Sequence, residues 1–321
     1  MDFLANYFGS LNPMSFLSAL PGNIAQGIIW GLMGLGVFLT FKLLNFADLS
    51  VDGSFATGGA VTAVMLINGC PVWATIIVAI LAGLAAGLVT GLLHTLLGIP
   101  DILAGILTQI ALYSINLNIM GKSNLPISYR NYTLVVSASN INMAILVGLG
   151  ICAIVIAAMY WYFGTEQGST IRSTGSNPAM SKAQGININF TKVIALALSN
   201  GLVALSGSLF AQYQGFADIN MGRGAIVIGL AAVIIGEVLG EAIFRKHMNF
   251  ITRMLFVIVG GILYYIAMGI VLWLKMPTDD TKLFTAIIVA IFLAVPYLQK
   301  KRKTSFKKVA KMNAKNAQKE G

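Results

Sequence analysis

The chain has 321 residues, of which 57% are hydrophobic and only 10% are charged, and it carries a formal net charge of +10. An ordinary soluble domain has roughly 25% charged residues, so this composition excludes a chain that is covered by water on all sides. We predict that most of it lies in a lipid bilayer.

Apolar segments recur along the sequence, each close to the roughly 20 residues that a membrane-crossing helix needs. They lie at about 23–43, 51–68, 72–97, 101–120, 143–163, 190–213, 225–243, 254–274 and 283–298. A membrane β-barrel would show short alternating segments instead. The sequence therefore predicts an all-α polytopic membrane protein with nine spans, preceded by an external lead-in at 1–22 and followed by a basic tail at 299–321.

The basic tail indicates which end of the chain faces the cytoplasm. It holds nine Lys or Arg residues against one acidic residue, Glu320. A basic segment directly after a span is typical of the cytoplasmic face, where it contacts anionic lipid, and no aromatic or glycine-rich pattern suggests a nucleic-acid partner. With nine crossings the N-terminus lies outside, and the predicted internal regions then hold sixteen Lys and Arg residues against five outside.

The longest predicted internal loop, 164–190, contains the sequence "SNPAMSKAQGIN" at 176–187. Ser176 or Asn177 is a suitable helix cap, Pro178 fits the first helical position, and Gly185 is placed to end the helix. The pattern predicts a short cytoplasmic helix that serves as a docking element.

Two aspartates, Asp48 and Asp52, stand in "LNFADLSVDGSFATGGA" at 44–60, where few other residues are charged. Their spacing of four residues predicts that they share one helical face. Two interpretations remain open. Together with Ser50 and Ser54 they cap a broken second span, where a helix N-terminus favours carboxylates, or they face a translocation path.

The segment "FADLSVDG" at 46–53 is echoed by "FADINMGRG" at 216–224. Each follows one span and precedes another, on opposite sides in the predicted topology, which favours an inverted repeat of four spans, one linking span and four spans. Helices broken inside such repeats commonly line the path. The candidate path residues are Asp48, Ser50, Asp52, Ser54, Asn200, Asp218 and Asn220.

Further polar residues lie within spans four and six. They either line the path or form hydrogen bonds between helices, and the sequence leaves both possibilities open. The residues are Gln109, Asn116, Asn118, Ser199, Asn200, Ser206, Ser208 and Gln212. Gly83, Gly87 and Gly91, each four residues apart, predict close helix packing.

Residues 171–215, "IRSTGSNPAMSKAQGININFTKVIALALSNGLVALSGSLFAQYQG", resemble the coupling loop and following helix of ABC importer permeases of the branched-chain amino acid, ribose and BMP-type nucleoside group. Gly175, Asn177, Gly185, Ile186 and Asn187 match the fixed positions of its G-x-N-x-x-A-A-x-x-x-G-I-N pattern and Ala179 fits a free one, whereas Met180 and Ser181 stand where the pattern varies. Residues 46–63 and 222–240 resemble two further family segments, and the resemblance covers about 23–298. The subgroup of tryptophan/tyrosine importers has "NFADLSVDGSF"-like and "GFADINMGxG"-like segments and is the most similar.

This resemblance implies a type II-like permease subunit of a bacterial plasma-membrane importer for a small polar solute, with an aromatic amino acid as the first expectation. The implied partners are ABC ATPase subunits, an extracytoplasmic substrate-binding lipoprotein and a second permease copy in a homodimer. ATP and Mg²⁺ would be bound by the ATPase, since the chain has no G-x-x-x-x-G-K-[ST] loop, and no cofactor or catalytic residue is expected in it. The residues expected to couple to the ATPase are Asn177, Pro178, Ala179, Met180, Ser181 and Gly185.

The alternative function is a secondary transporter that is driven by protons or Na⁺. It would use the carboxylates of Asp48, Asp52 and Asp218. Such a transporter needs no ATPase subunit, so dependence on ATP distinguishes the two hypotheses.

Overall fold

The structure is a computed structural model, and it describes residues 13–128, 130, 132–244, 248–274, 283–292 and 294. Its helices are α1 (Pro13–Val37, continued by a π-helical segment, Phe38–Leu43), α2 (Val51–Ile67), α3 (Val72–Thr95), α4 (Asp101–Met120), α5 (Ile141–Phe163), α6 (Glu166–Ser176), α7 (Pro178–Ala183), α8 (Ile188–Gln214), α9 (Ala225–Phe244), α10 (Phe250–Trp273) and α11 (Leu283–Phe292). Two short strands, β1 (Asn124–Pro126) and β2 (Phe216–Asp218), pair antiparallel.

Within the described residues, seven helices are long and apolar enough to cross a bilayer. They are α1 with its π-helical segment, α3, α4, α5, α8, α9 and α10. The other two predicted spans coincide with the shorter apolar helices α2 and α11. The all-α polytopic prediction is confirmed, whereas the number of nine crossings stays a prediction, and the basic tail at 299–321 lies outside the described residues.

Helix α1 begins at Pro13 instead of near residue 23, and Pro21 lies within it. Part of the predicted lead-in is therefore helical and continuous with the first span. Trp30 of α1 stacks on Phe55 of α2 at 4.7 Å between ring centroids and meets Phe210 of α8 edge-on at 5.2 Å. These rings join three helices in the core.

Helix α8 lies at the centre of the fold and packs against α1, α2 and α3. Gly83, Gly87 and Gly91 of α3 face the backbone of α8 so closely that a side chain at any of them would collide with Asn200, Leu196 or Val193. The close packing predicted from the glycine spacing is confirmed.

Helix α1 packs against α10 in a similar way, through Gly27 and Gly31. In an inverted repeat of four spans, α1 corresponds to α8 and α3 corresponds to α10. The packing of α1 on α10 is then the counterpart of the packing of α8 on α3. This exchange of partners supports the repeat that the echoed segments suggested.

Candidate translocation site and coupling surface

Residues 44–50 form a non-helical break between the π-helical end of α1 and the start of α2 at Val51. Asn45 has a φ of +56° and turns the chain there. The predicted shared helical face of Asp48 and Asp52 is wrong, because Asp48 lies in the break and only Asp52 lies in the first turn of α2. The two carboxylates consequently have different partners.

Asp48 is 2% exposed, and its carboxylate accepts hydrogen bonds from Ser50 and Asn200. Its Oδ1 accepts hydrogen bonds from the Ser50 backbone N–H at 2.9 Å and from the Ser50 hydroxyl. Its Oδ2 accepts a 2.7 Å bond from Nδ2 of Asn200, which lies near the midpoint of α8. Because a buried carboxylate needs such donors, this network fastens the break to the central helix.

Asp52 caps a helix in the other half of the repeat. Its Oδ2 accepts a hydrogen bond from the Gly224 N–H and its Oδ1 accepts one from the Ile226 N–H, both at 2.9 Å. Gly224 directly precedes α9 and Ile226 lies in its first turn, where backbone N–H groups have no intrahelical acceptor. Asp52 was predicted to cap the helix that contains it, α2. It instead caps α9.

The second echoed segment has the same local turn as the first. Asp218 Oδ1 accepts a hydrogen bond from the Asn220 N–H at 2.7 Å, as Asp48 does from the residue two positions later. The Asp218 Oδ2 also lies 3.4 Å from Nδ2 of Asn124 on the paired strand β1. This shared turn is a second structural observation in favour of the repeat.

A cavity of about 280 Å³ lies beside the junction of the two echoed segments, between α2, α4 and the 219–223 turn. Its polar lining comes from Asp52, Gln109, Asn116 and Arg223, with Tyr113 beside them. Of the candidate path residues, Asp52 is the one that lines this cavity. The sequence left open whether Gln109 and Asn116 line the path or form hydrogen bonds between helices, and both line this cavity.

Arg223 and Tyr113 were missed by the sequence-based prediction of the path. Arg223 is one of the five Lys and Arg residues that the sequence analysis placed outside, and it was given no other role, although its place within the second echoed segment was an available signal. Tyr113 gave no signal, because a tyrosine in an apolar span is more often a packing or interfacial residue.

Three serines of α8 form hydrogen bonds to other helices. Ser199 donates to the Gly36 carbonyl and Ser206 to the Ile29 carbonyl, both at 2.7 Å. A 2.7 Å bond also joins the Ser208 hydroxyl to that of Thr62. Bonds of this kind hold membrane helices together, so for these three serines the hydrogen-bonding interpretation is confirmed.

Ser54 is fully buried, and its hydroxyl has no hydrogen-bond partner among the described residues. Of the other candidates, Ser50 is buried in the Asp48 network and Asn220 is exposed. The structure thus brings Asp48, Ser50 and Asn200 together and leaves Ser54 apart from their network.

The short helix predicted within 176–187 is present as α7 and follows α6 directly, while its cytoplasmic location stays a prediction. Asn177 Oδ1 accepts the Met180 N–H at 3.1 Å, and Pro178 occupies the first turn. Gly185 ends the turn with a φ of +82°, a left-handed conformation that favours glycine. Met180 is 58% exposed, whereas Ser181 is 2% exposed and faces inward.

Helix α6 abuts the C-terminal end of α1. A side chain at Gly175 would overlap the Leu43 carbonyl, so the two backbones are in close contact. Leu43 is the last residue of the π-helical segment and immediately precedes the 44–50 break. The exposed α7 is therefore connected through α6 to the segment that carries Asp48.

A family described as "Branched-chain amino acid transport system / permease component" matches residues 22–296. The chain belongs to this family of ABC transporter permeases. The match spans the region in which the sequence motifs resembled that group, and it decides between the two transport hypotheses in favour of the ABC permease.

Among the permease's relatives, the tyrosine transport system permease protein of Clostridioides difficile is 42% identical over 93% of this chain and 99% of its own length. An uncharacterised protein, RP368, of Rickettsia prowazekii is 30% identical over 84% of this chain and 95% of its own. The solved structure of PsaBC from Streptococcus pneumoniae in complex with Fab covers 91% of the permease and 94% of that chain, with a TM-score of 0.51 and 16% identity. This last likeness concerns the fold alone.

Proposed function

We propose that the permease imports an aromatic amino acid, tryptophan or tyrosine, through the bacterial plasma membrane. The observation that carries this proposal is the 42% identity, over nearly the full length of both chains, to a relative that is named for tyrosine transport. The polar cavity at the junction of the two echoed segments supports it, because its lining by Asp52, Gln109, Asn116 and Arg223 offers partners to a polar solute inside a membrane protein.

The permease works as one of two identical copies, with two ATPase subunits on the cytoplasmic side and a substrate-binding lipoprotein outside. The ATPases bind ATP and Mg²⁺ and hydrolyse ATP, while the permease itself carries out no chemistry. Its N-terminus lies outside and its basic tail lies inside, as the distribution of Lys and Arg predicts.

Coupling runs through the exposed end of α7. Asn177 and Pro178 start this helix, Ala179 and Met180 present its exposed surface, and Gly185 ends it. Ser181 faces inward and holds the helix against the permease. Movement of α7 would pass through α6 to Leu43 and then to the 44–50 break, because α6 is in backbone contact with that residue.

The test of transport uses proteoliposomes that contain the permease and its ATPase, with the binding lipoprotein added outside. We expect labelled tyrosine or tryptophan to accumulate only with ATP on the ATPase side, and we expect the uptake to survive an ionophore that collapses proton and Na⁺ gradients. Uptake without ATP, or its abolition by the ionophore, would contradict the proposal, as would the absence of any aromatic amino acid transport.

The test of coupling changes one exposed side chain of α7. Met180→Glu places a charge on the proposed docking surface, and we expect the ATPase to be lost during co-purification while the permease remains folded. Gln167→Glu adds the same charge at an exposed position of the neighbouring helix α6 and serves as the control. Retention of the ATPase by both variants would show that α7 is not the docking element.

A further inference from the structure

The cavity at the junction of the two echoed segments is lined by a buried polar side chain, Asn116, that forms no hydrogen bond within the described residues. Asn116 is 1% exposed, and neither its Oδ1 nor its Nδ2 has a partner among the described residues. It lines the cavity from α4. A buried amide that forms no hydrogen bond costs free energy, and a polar group that entered the cavity would supply the missing bond.

The same cavity carries one negative and one positive side chain. Asp52 and Arg223 both line it, and no ion pair joins them or links either to another described residue. Asp52 uses its oxygens to accept the two N–H groups of α9, but each carboxylate oxygen has two lone pairs and can accept a further donor. The cavity therefore offers an anion and a cation that are both available to a solute.

We propose that this cavity is a binding site of the permease itself for the zwitterionic head of an α-amino acid. Arg223 binds the carboxylate of the solute and Asp52 binds its ammonium group. Asn116 and Gln109 complete the hydrogen bonds, and Tyr113 and Ile219 contact the side chain of the solute. This inference rests on the proposed function, because it locates the solute of that transport in the permease.

The chemistry of the lining favours a zwitterion over other small solutes. A neutral sugar would leave the two charges without partners, and a simple anion would be repelled by Asp52. A solute with both charges on neighbouring atoms satisfies Arg223 and Asp52 at once, which is the electrostatic complementarity that gives binding sites their specificity. The volume of about 280 Å³ is close to the lower end of the range for small-molecule sites, roughly 300–1,000 Å³.

The experiment measures ligand binding to the purified permease–ATPase complex without the binding lipoprotein, so that the selectivity of that protein does not contribute. The probes are L-tyrosine, tyramine, which lacks the carboxylate, and 3-(4-hydroxyphenyl)propionate, which lacks the amine. We expect saturable L-tyrosine binding and affinities weaker by roughly tenfold or more for both analogues, the effect of losing one charged contact of about 1.4 kcal/mol. Equal affinities for the three probes, or no saturable binding of any, would overturn the proposal.

Two variants test which residue binds which charged group of the solute. Arg223→Gln is expected to reduce the preference for L-tyrosine over tyramine to about one, while Asp52→Asn reduces the preference over the propionate. Lys122→Gln removes a positive charge next to β1, outside the cavity lining, and should change neither ratio. Ratios that stay unchanged in the Arg223 and Asp52 variants would contradict the assignment.

Asn116→Leu separates a ligand contact from a structural role. Removal of an unsatisfied buried amide is expected to raise the unfolding temperature while L-tyrosine binding falls by roughly tenfold. Asn118→Leu changes an exposed residue of the same helix and should leave binding unaltered. Normal binding of L-tyrosine by Asn116→Leu would contradict the proposed binding site. That result would leave the proposed function untouched, because wild-type uptake in proteoliposomes tests transport separately.

Discussion

The carboxylate of Asp52, in the first turn of α2, accepts a 2.9 Å hydrogen bond from the backbone N–H of Gly224, which stands just before α9. The two residues belong to the two echoed segments, 46–53 and 216–224. The N-terminal ends of α2 and α9 therefore meet, and the carboxylate of one is stabilised by the N–H groups of the other. This contact couples the two halves of the repeat beside the polar cavity.

Replacement of Asp52 tests that contact. Asp52→Ala removes the cap of α9 and should lower the free energy of unfolding by about 1–2 kcal/mol, the usual effect of losing an N-terminal cap. Denaturant or thermal unfolding of the purified permease in detergent measures the change.

Asp101→Ala is the matched control for that variant. Asp101 also lies in a first helical turn, but among the described residues its carboxylate bonds only to the adjacent Ile102 N–H. We expect a change below about 0.5 kcal/mol. A loss of stability in the Asp101 variant as large as that in the Asp52 variant would show that the contact with α9 is not specific.

The pair formed by Asp48 and Asn200 predicts a coupled effect on stability. Asn200→Leu removes a charge-assisted hydrogen bond from a buried carboxylate and should cost about 2–3 kcal/mol. The exchanged double variant, Asp48→Asn with Asn200→Asp, restores one donor opposite one carboxylate. Its free energy of unfolding should be higher than the separate effects of Asp48→Asn and Asn200→Asp add up to, as measured by a double-mutant cycle. Additivity of the two effects within about 0.5 kcal/mol would contradict the pairing.

Much of the fold could be predicted from the sequence because apolar length and helix signals are local. Helix α7 is an example, since Asn177, Pro178 and Gly185 each act within one turn of their own position. The start of α1 was placed near residue 23, from the extent of the apolar segment, whereas the helix begins at Pro13 and passes through Pro21. Pattern alone does not show when a helix tolerates an internal proline.

The candidate site was predicted in part, for a reason that lies in the packing. Asp48 and Asp52 were recognised from their charge, but their partners, Asn200 and the first turn of α9, are about 150 and 170 residues away in sequence. Spacing along the chain contains no information on such contacts. The cavity lining was missed for the same reason, because Arg223 comes next to Asp52 only through the tertiary fold.

The orientation of the permease in the membrane leads to a labelling prediction. Lys122→Cys, in the loop after α4, should react with a membrane-impermeant maleimide in intact cells, because this loop is predicted to lie outside. Gln184→Cys, at the end of α7, should react only after the membrane is permeabilised. Both positions are exposed.

The native thiols require a background control in that experiment. Cys70 is half-buried in the turn between α2 and α3, and Cys152 is buried within α5, so the variants are made in a Cys70→Ser, Cys152→Ala background. Labelling of the Gln184→Cys variant in intact cells, with the Lys122→Cys variant protected, would reverse the predicted topology.

The close contact between α6 and α1 predicts that a single methyl group at Gly175 uncouples transport from ATP hydrolysis. Gly175→Ala forces the backbone of α6 away from the Leu43 carbonyl, and overpacking of this kind costs about 1–3 kcal/mol. Because Leu43 directly precedes the 44–50 break, we expect the number of solutes moved per ATP hydrolysed to fall while the ATPase stays bound.

Gly150→Ala is the control for the added methyl group. Gly150 lies in α5, where a new Cβ would have no atom of the described structure within 4 Å, and alanine favours a helix over glycine by up to about 1 kcal/mol. This variant should transport normally, with unchanged or slightly higher stability. If the Gly175 variant kept the wild-type ratio of transport to ATP hydrolysis, the connection from α7 through α6 to the break would not be the route of coupling.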